Sequence, residues 1–382
     1  MIKKTAVFVA ILVAVTAAAA GFFLLFQRTQ PIEVRIENPS NPTGTSARGK
    51  KILAIYSYHP EWGWNIDTEK GIIDGLSARG YQKDKNYELR SFYMDTKVTY
   101  TLIGQIQARG DQAIKLIEDY NPDLVFINDD NALTYVAVPY SVKHPESNIP
   151  FIFAGINGDP SEFKTVIDSL AKPGHNITGD LERFPFHEAF SLAKRILPTM
   201  KTVTLFADAS ESSNSLIKIM KADGILTDKN LALKVVEIVQ VEKFSDWQKK
   251  IEEYQKKTDS IGILTYAQLR DDKGEVVDAS EVVAWTITHN KLPEIGFLLF
   301  HAEDGFWSAV GVSPYKTGKH IANTAADIMT GAKKAGDIPI TDPKLVDVAF
   351  NIKRSEMLGV KIPLDILGLA TQIYTEIKAI RF

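Results

Sequence analysis

The sequence contains no cysteine. Disulfides, thiolate nucleophiles, cysteine-based zinc or iron–sulfur sites and a cysteine-borne lipid are thereby excluded. The short motifs of nucleotide and hydrolytic chemistry are missing too. No G-x-G-x-x-G follows the first predicted strand, and there is no P-loop, G-x-S-x-G or H-E-x-x-H. His59, His187 and His301 lie far apart without metal-ligand spacing, and no serine has a local base. The expectation is therefore a protein without catalytic residues, metal or cofactor. An excess of positive charge is also lacking: 44 Lys and Arg against 47 Asp and Glu give a net charge of -3. With the basic residues scattered, nucleic acid is not an expected partner.

What is present begins with an address. Lys3 and Lys4 precede an uncharged stretch from Thr5 to Phe26 that is long enough to cross a bilayer as a helix. Ala17 to Ala20 offers an A-x-A-like cleavage site, but the apolar run continues through Phe26, so residues 1–28 read as an uncleaved signal-anchor rather than a cleaved signal peptide. The positive-inside rule then puts Lys3 and Lys4 in the cytoplasm and the rest outside, tethered to the cytoplasmic membrane. Residues 29–50, rich in Pro, Ser, Thr, Asn and Gly, read as a flexible linker.

From Lys51 onward, strand and helix patterns alternate about every thirty residues, the length of a βαβ unit. Strands are predicted at Ile52 to Tyr56, Leu89 to Met94, Leu124 to Ile127 and Phe151 to Ala154. A Pro- and Gly-rich stretch, 171–185, reads as a crossing between lobes, after which strands recur at Val203, Lys234, Ile261 and Ile295 to Phe300. The segments Val310 to Val312, Tyr315 to Met329, Leu345 to Phe350 and a closing helix near Leu364 to Ile377 are too few for a third core. They must complete lobes already built. The expected architecture is α/β: two Rossmann-like lobes with parallel sheets, lobe 1 at 51–178 completed by about 313–345, lobe 2 at 179–312 completed by about 346–382. Several hinge crossings between lobes make a cleft that can close on a ligand.

Each predicted strand tip carries a polar or aromatic cluster, and the tips of a parallel sheet share one edge, where open α/β sheets bind ligands. The organising stretch is Phe151 to Pro160, where an apolar strand opens into a loop containing Gly155, Asn157, Gly158 and Asp159. The candidates are Tyr58, His59, Trp62, Trp64, Asp129, Asn131 and Asn157 from the first lobe and Asp208, Ser210, Tyr266 and His301 from the second, with Asp180 and Glu182 at the crossing. Aromatic rings beside an excess of carboxylates can hold a sugar by stacking and hydrogen bonds, or a cationic or zwitterionic molecule. Helix capping competes as the role of Asp208, Ser210 and Asn131.

Taken together, AIYSYHPEW with W-x-x-D-x-x-x-G-I, INDDNALTY, IPFIFAGINGDP, NITGDLE followed by LAKRILPTMKTVTLFAD, and VGVSPYKTGKHIANTAADIMTG leading to NIKRSEMLGVKIP resemble the ABC-transporter substrate-binding family of the tryptophan/tyrosine type. The resemblance runs from about Lys51 to the C-terminus. It implies a type I periplasmic binding fold with three crossings, a ligand held between the lobes and no catalysis. The bulky SYHPEWGW after the first strand departs from the small polar residues often found there, so ligand identity does not carry over. The expected function is an extracytoplasmic, membrane-tethered, monomeric solute-binding protein that presents a small polar ligand, such as an amino acid or a sugar-like molecule, to an ABC permease. The alternative is a tethered sensor reporting to a partner such as a membrane kinase.

Overall fold

The computed structural model describes residues 49–378. The expected anchor, and the linker up to residue 48, lie outside the described residues. Among these, no helix is long and apolar enough to cross a membrane.

The first sheet forms from apolar runs that need burial on both faces. Strands β1 (Lys50–Tyr56), β3 (Leu124–Asn128) and β4 (Phe151–Ile156) are almost continuously buried, as expected of central parallel strands. With β2 (Tyr87–Tyr93) and β5 (Ile177–Leu181) they make an all-parallel sheet in the order β2-β1-β3-β4-β5. The connecting helices are α1 (Gly63–Ala78), α2 (Ile103–Tyr120) and α3, which runs from Asp130–Ala132 through a π-turn at Leu133–Ala137 into Val138–Lys143. Ile52, Ala54 and Phe126 pack on one side of the sheet, and Leu53, Ile55, Val125 and Ile127 on the other.

The second sheet is built from β6 (Thr202–Asp208), β7 (Lys234–Val241), β8 (Ser260–Ile263), β9 (Glu294–Gly296), β10 (Ser308–Val312), β11 (Val346–Asn351) and β12 (Gln372–Tyr374), in the order β12-β11-β10-β9-β8-β6-β7. Its helices are α4 (Phe186–Ile196), α5 (Glu211–Ala222), α6 (Phe244–Tyr254), α7 (Ala279–His289) and α8 (Phe300–Asp304), then α10 (Ile352–Leu358) and α11 (Leu364–Leu367) after the long α9 (Pro314–Met329). Helix α9 belongs spatially to the first lobe, against α1. The two helices touch backbone to backbone, because a Cβ on Gly71 would lie 2.2 Å from the Tyr315 carbonyl oxygen and one on Gly318 would lie 2.2 Å from that of Thr68.

The chain thus passes between the sheets three times, after Leu181, after Val312 and before Val346. The last two passages explain the one antiparallel pair. The chain leaves the second sheet at Val312 and re-enters beside it at Val346, so β11 must run against β10. Three sequence expectations are corrected here. The stretch 171–185 contains β5, a strand of the first sheet, and the crossing comes only after Leu181. Gly179 hid it, lying where a Cβ would meet the Phe153 carbonyl oxygen at 2.2 Å. The strand expected to reach Phe300 stops at Gly296, and the chain turns into α8. The closing helix is the four-residue α11 followed by β12, which pairs with β11.

The second lobe is pinned by a buried ion pair. Arg354, 2% exposed, donates to both carboxylate oxygens of Glu294, which is fully buried, and to the carbonyls of Ile287 and Asn290. Asn290 and the Trp307 amide donate to the same carboxylate. Removing one partner strands a buried charge. Arg354→Leu is expected to destabilise this lobe by about 3–5 kcal/mol, and the double variant Arg354→Leu/Glu294→Leu by less. Thermal melts of the two variants check this; equal melting temperatures would contradict it.

Candidate functional site

The tips of β1, β3 and β4 are tied together by hydrogen bonds that leave their side chains poised. The Ser57 hydroxyl donates to the Asn128 carbonyl at 2.8 Å and accepts from the Ala132 amide at 2.9 Å, fixing the tip of β1 to the start of α3. Asp129 lies between them at φ 67°, a backbone state that favours glycine or asparagine. Asp130 accepts the amides of Asn157 and Gly158 at 3.2 and 2.8 Å. From the opposite side, Arg183 donates to the carbonyls of Ile156, Asn157 and Gly158 and pairs with Asp223 of the second lobe at 3.4 Å. The loop after β4 is therefore held by its amides and its carbonyls at once.

Glycine is required at its start. Gly155 has φ +73°, and a Cβ there would lie 3.1 Å from Asp129 Oδ1 and 3.3 Å from Trp64 Nε1. The indole and the carboxylate can approach only bare backbone. Asp129 Oδ2 and Trp64 Nε1 are buried, and neither has a hydrogen-bond partner among the described residues. A buried polar atom left unpaired is costly, so this acceptor and this donor are candidate contacts for a guest.

The electrostatics concentrate on the same spot. Burial pushes the Asp129 carboxyl well above its ordinary range, the neighbouring charges of Glu182 and Asp130 push it further, and the Lys97 ammonium opposes the rise in part. Burial raises Glu182 to about 7, with Asp130 and Asp342 adding to the rise and a hydrogen bond from Asn157 at 3.4 Å opposing it. Burial, Asp129, Asp130 and Glu182 likewise raise the Tyr58 hydroxyl. Tyr58 and His59 each meet the Trp62 ring edge-on at 5.8 Å. Lys97 lies on this aromatic group, its Nζ 3.8 Å from the Trp62 ring centroid and 4.7 Å from that of Tyr58.

In the second lobe Asp208 accepts from the amide and hydroxyl of Ser210, the Ser213 hydroxyl and the Gln268 amide. Burial opposes its charge, but these donors outweigh it and hold its carboxyl below the usual range. Ser210 caps α5. A cavity of about 510 Å³ opens beside the crossing, between Asn157 and Glu182 on one side and Leu216 and Met220 of α5 on the other.

Of the residues expected from the sequence, Tyr58, His59, Trp62, Trp64, Asp129, Asn157 and Glu182 gather at the first-lobe tips, and Asp208 with Ser210 forms the second-lobe cluster. Four others are placed differently. Asn131 donates to the Thr96 hydroxyl at 2.8 Å and anchors a turn. Asp180, on β5, is paired with His320 of α9 at 2.6 Å. Tyr266 is buried and donates to Asp304. His301 is fully buried, with its pKa lowered to about 3 by desolvation, and is a core residue. Sequence reasoning missed Lys97 and Arg183, and read Asp130 as a helix cap or part of an acidic rim. The strand-tip rule that found the other clusters would have reached Lys97 had it been applied to β2. Among the described residues, no group of three or more His, Asp or Glu side chains is placed to hold a metal ion.

The comparisons agree with one another. Residues 65–374 match the family model for the ABC transporter substrate binding protein. The tyrosine-binding protein of Clostridioides difficile (strain R20291) is 21% identical over 349 residues, covering 89% of this chain and 90% of that protein. Among solved structures, the ligand-free, open form of a substrate-binding protein with adhesive properties from Clostridium difficile is similar with a TM-score of 0.64 at 19% identity, over 86% of this chain and 100% of that one. An ABC domain from Streptococcus pneumonia in complex with L-Trp gives a TM-score of 0.54 at 21% identity, with the same coverage.

Because Asp130 alone accepts the two loop amides, Asp130→Ala is expected to accelerate hydrogen exchange at Asn157 and Gly158 by about tenfold or more, the loss of bonds to a charged acceptor. Exchange measured by NMR or mass spectrometry checks this, and unchanged protection would show that Arg183 suffices.

Proposed function

The chain belongs to the ABC transporter substrate-binding protein family, and from that membership we propose that its cleft takes an amino acid, aromatic by preference, and delivers it to a permease. Members of such systems act outside the cytoplasm and bind their ligand without transforming it. The ligand class is our inference, supported by the tyrosine- and tryptophan-binding relatives and by the chemistry of the first-lobe tips.

One observation carries it: Asp129, 5% exposed, keeps Oδ2 without a partner beside Glu182. Glu182 adds like charge to the buried Asp129, and two such carboxylates favour a further cation beside them, beyond the partial compensation from Lys97. An ammonium group supplies that charge and the missing donors. Tyr58, Trp62 and Trp64 offer ring faces to an aromatic side chain, and Trp64 Nε1 offers a donor. Ser210 and the exposed Gln268 supply polar contacts from the second lobe. Contacts from both lobes exist only when the cleft is shut, so ligand stabilises the closed state by its differential affinity, and the permease reads that state. In this account the N-terminal stretch tethers the chain to the outer face of the cytoplasmic membrane, and the chain works as a monomer.

Asp129→Asn keeps the shape but removes the charge. It is expected to weaken amino-acid binding by tenfold or more in calorimetry while raising the melting temperature of the free protein, since a strained buried carboxyl is relieved. A merely structural aspartate would instead lower the melting temperature.

The sign of the pH dependence follows from the raised carboxyls. An ammonium ligand selects the ionised form, and Glu182 with a pKa of about 7 is mostly protonated at pH 6. Affinity is therefore expected to rise with pH, by roughly tenfold between pH 6 and 8 from Glu182 alone. Dissociation constants across that range check it; a flat or falling profile would overturn the ammonium assignment.

A further inference from the structure

Lys97 is an exposed residue with an unusual contact set. Its ammonium rests on the Trp62 and Tyr58 rings, and among the described residues no carboxylate lies within salt-bridge distance of it. The backbone beneath it is fixed. Asp95 adopts φ 52°, Thr96 donates its hydroxyl to the Ser57 carbonyl at 2.8 Å and its amide to the same oxygen at 2.9 Å, and Asn131 donates to the Thr96 hydroxyl. A long cationic side chain is thus delivered from a rigid turn onto the rings a ligand would use.

We propose that Lys97 is the residue that reads the ligand's carboxylate: an arriving aromatic ring displaces its ammonium from Trp62 and Tyr58, and the freed charge pairs with the ligand's anionic end. The site is then specific for amino acids over the corresponding amines. This rests on the amino-acid reading above and extends it to the second charge of the zwitterion. A cation–π contact at an exposed site is weak enough to be exchanged for an ion pair. Lys97 also lies within electrostatic reach of Asp129 and Glu182, so an arriving ammonium end replaces its charge beside the carboxylates while the freed Lys97 turns to the ligand's anionic end. In the absence of ligand Lys97 also occupies the ring faces, so an amine gains nothing from displacing it.

The test compares L-tyrosine with tyramine and L-tryptophan with tryptamine by calorimetry, on the wild-type chain, Lys97→Met and Lys97→Arg. The wild type is expected to bind each acid at least tenfold more tightly than its amine. Lys97→Met should bring the ratio close to one by weakening the acids, with amine binding unchanged or tighter, and Lys97→Arg should keep most of the preference. An unchanged ratio in Lys97→Met, or a wild type that prefers amines, overturns the role of Lys97 and leaves the amino-acid reading standing. If the wild type binds none of the four, the amino-acid reading falls and this proposal with it.

Discussion

The constraint on which the site depends is the burial of a carboxylate at the tip of β3. Asp129 sits under Gly155, beside Trp64, with Asp130 and Glu182 adding like charge. Such an arrangement is costly in a protein with nothing to bind. It persists because its surroundings are over-determined. The Ser57 hydroxyl fixes the backbone on one side, and Asp130 and Arg183 fix the loop after β4 on the other. These neighbours fix the backbone on both sides of Asp129, and in the proposed account a cation offsets the cost of its burial.

The topology joins this local feature to the rest of the molecule. Three passages of the chain join the lobes, and the re-entry at Val346 beside Val312 makes two of them neighbours. Helix α9, sequence-distant from the first lobe, is locked to α1 through glycine contacts. Arg183 spans the junction, its guanidinium on the first-lobe loop and on Asp223 of the second. The loop after β4 and the second lobe are thereby joined at the crossing.

Much of this was legible in the chain. The runs at Ile52, Leu124 and Phe151 are apolar without alternation, as a doubly covered parallel strand requires, and the FIFAGINGDP segment marked the tip of β4 and the loop that Asp130 and Arg183 hold. What was hidden has physical causes. Strand β5 is short and broken by Gly179, tolerated because Phe153 packs where a side chain would be. His301 follows what reads in the sequence as a strand end but lies in α8, and burial holds it neutral among Tyr266, Phe300 and Phe306. Composition cannot distinguish such a histidine from one in a cleft. Asn131 and Asp180 spend their polar atoms on Thr96 and His320, partners set by tertiary contacts with no local signal. Lys97 stands just past the tip of β2, where the strand-tip rule alone points to it, but its place on the Trp62 and Tyr58 rings is set by tertiary contact.

The most direct measurement is a crystal structure of the chain with L-tyrosine. The account predicts a closed cleft with the ligand's ammonium between Asp129 and Glu182 and its ring against the aromatic residues of the first-lobe tips. A ligand seated elsewhere, for example in the cavity between Glu182 and Met220 with Asp129 Oδ2 still unpartnered, would contradict it.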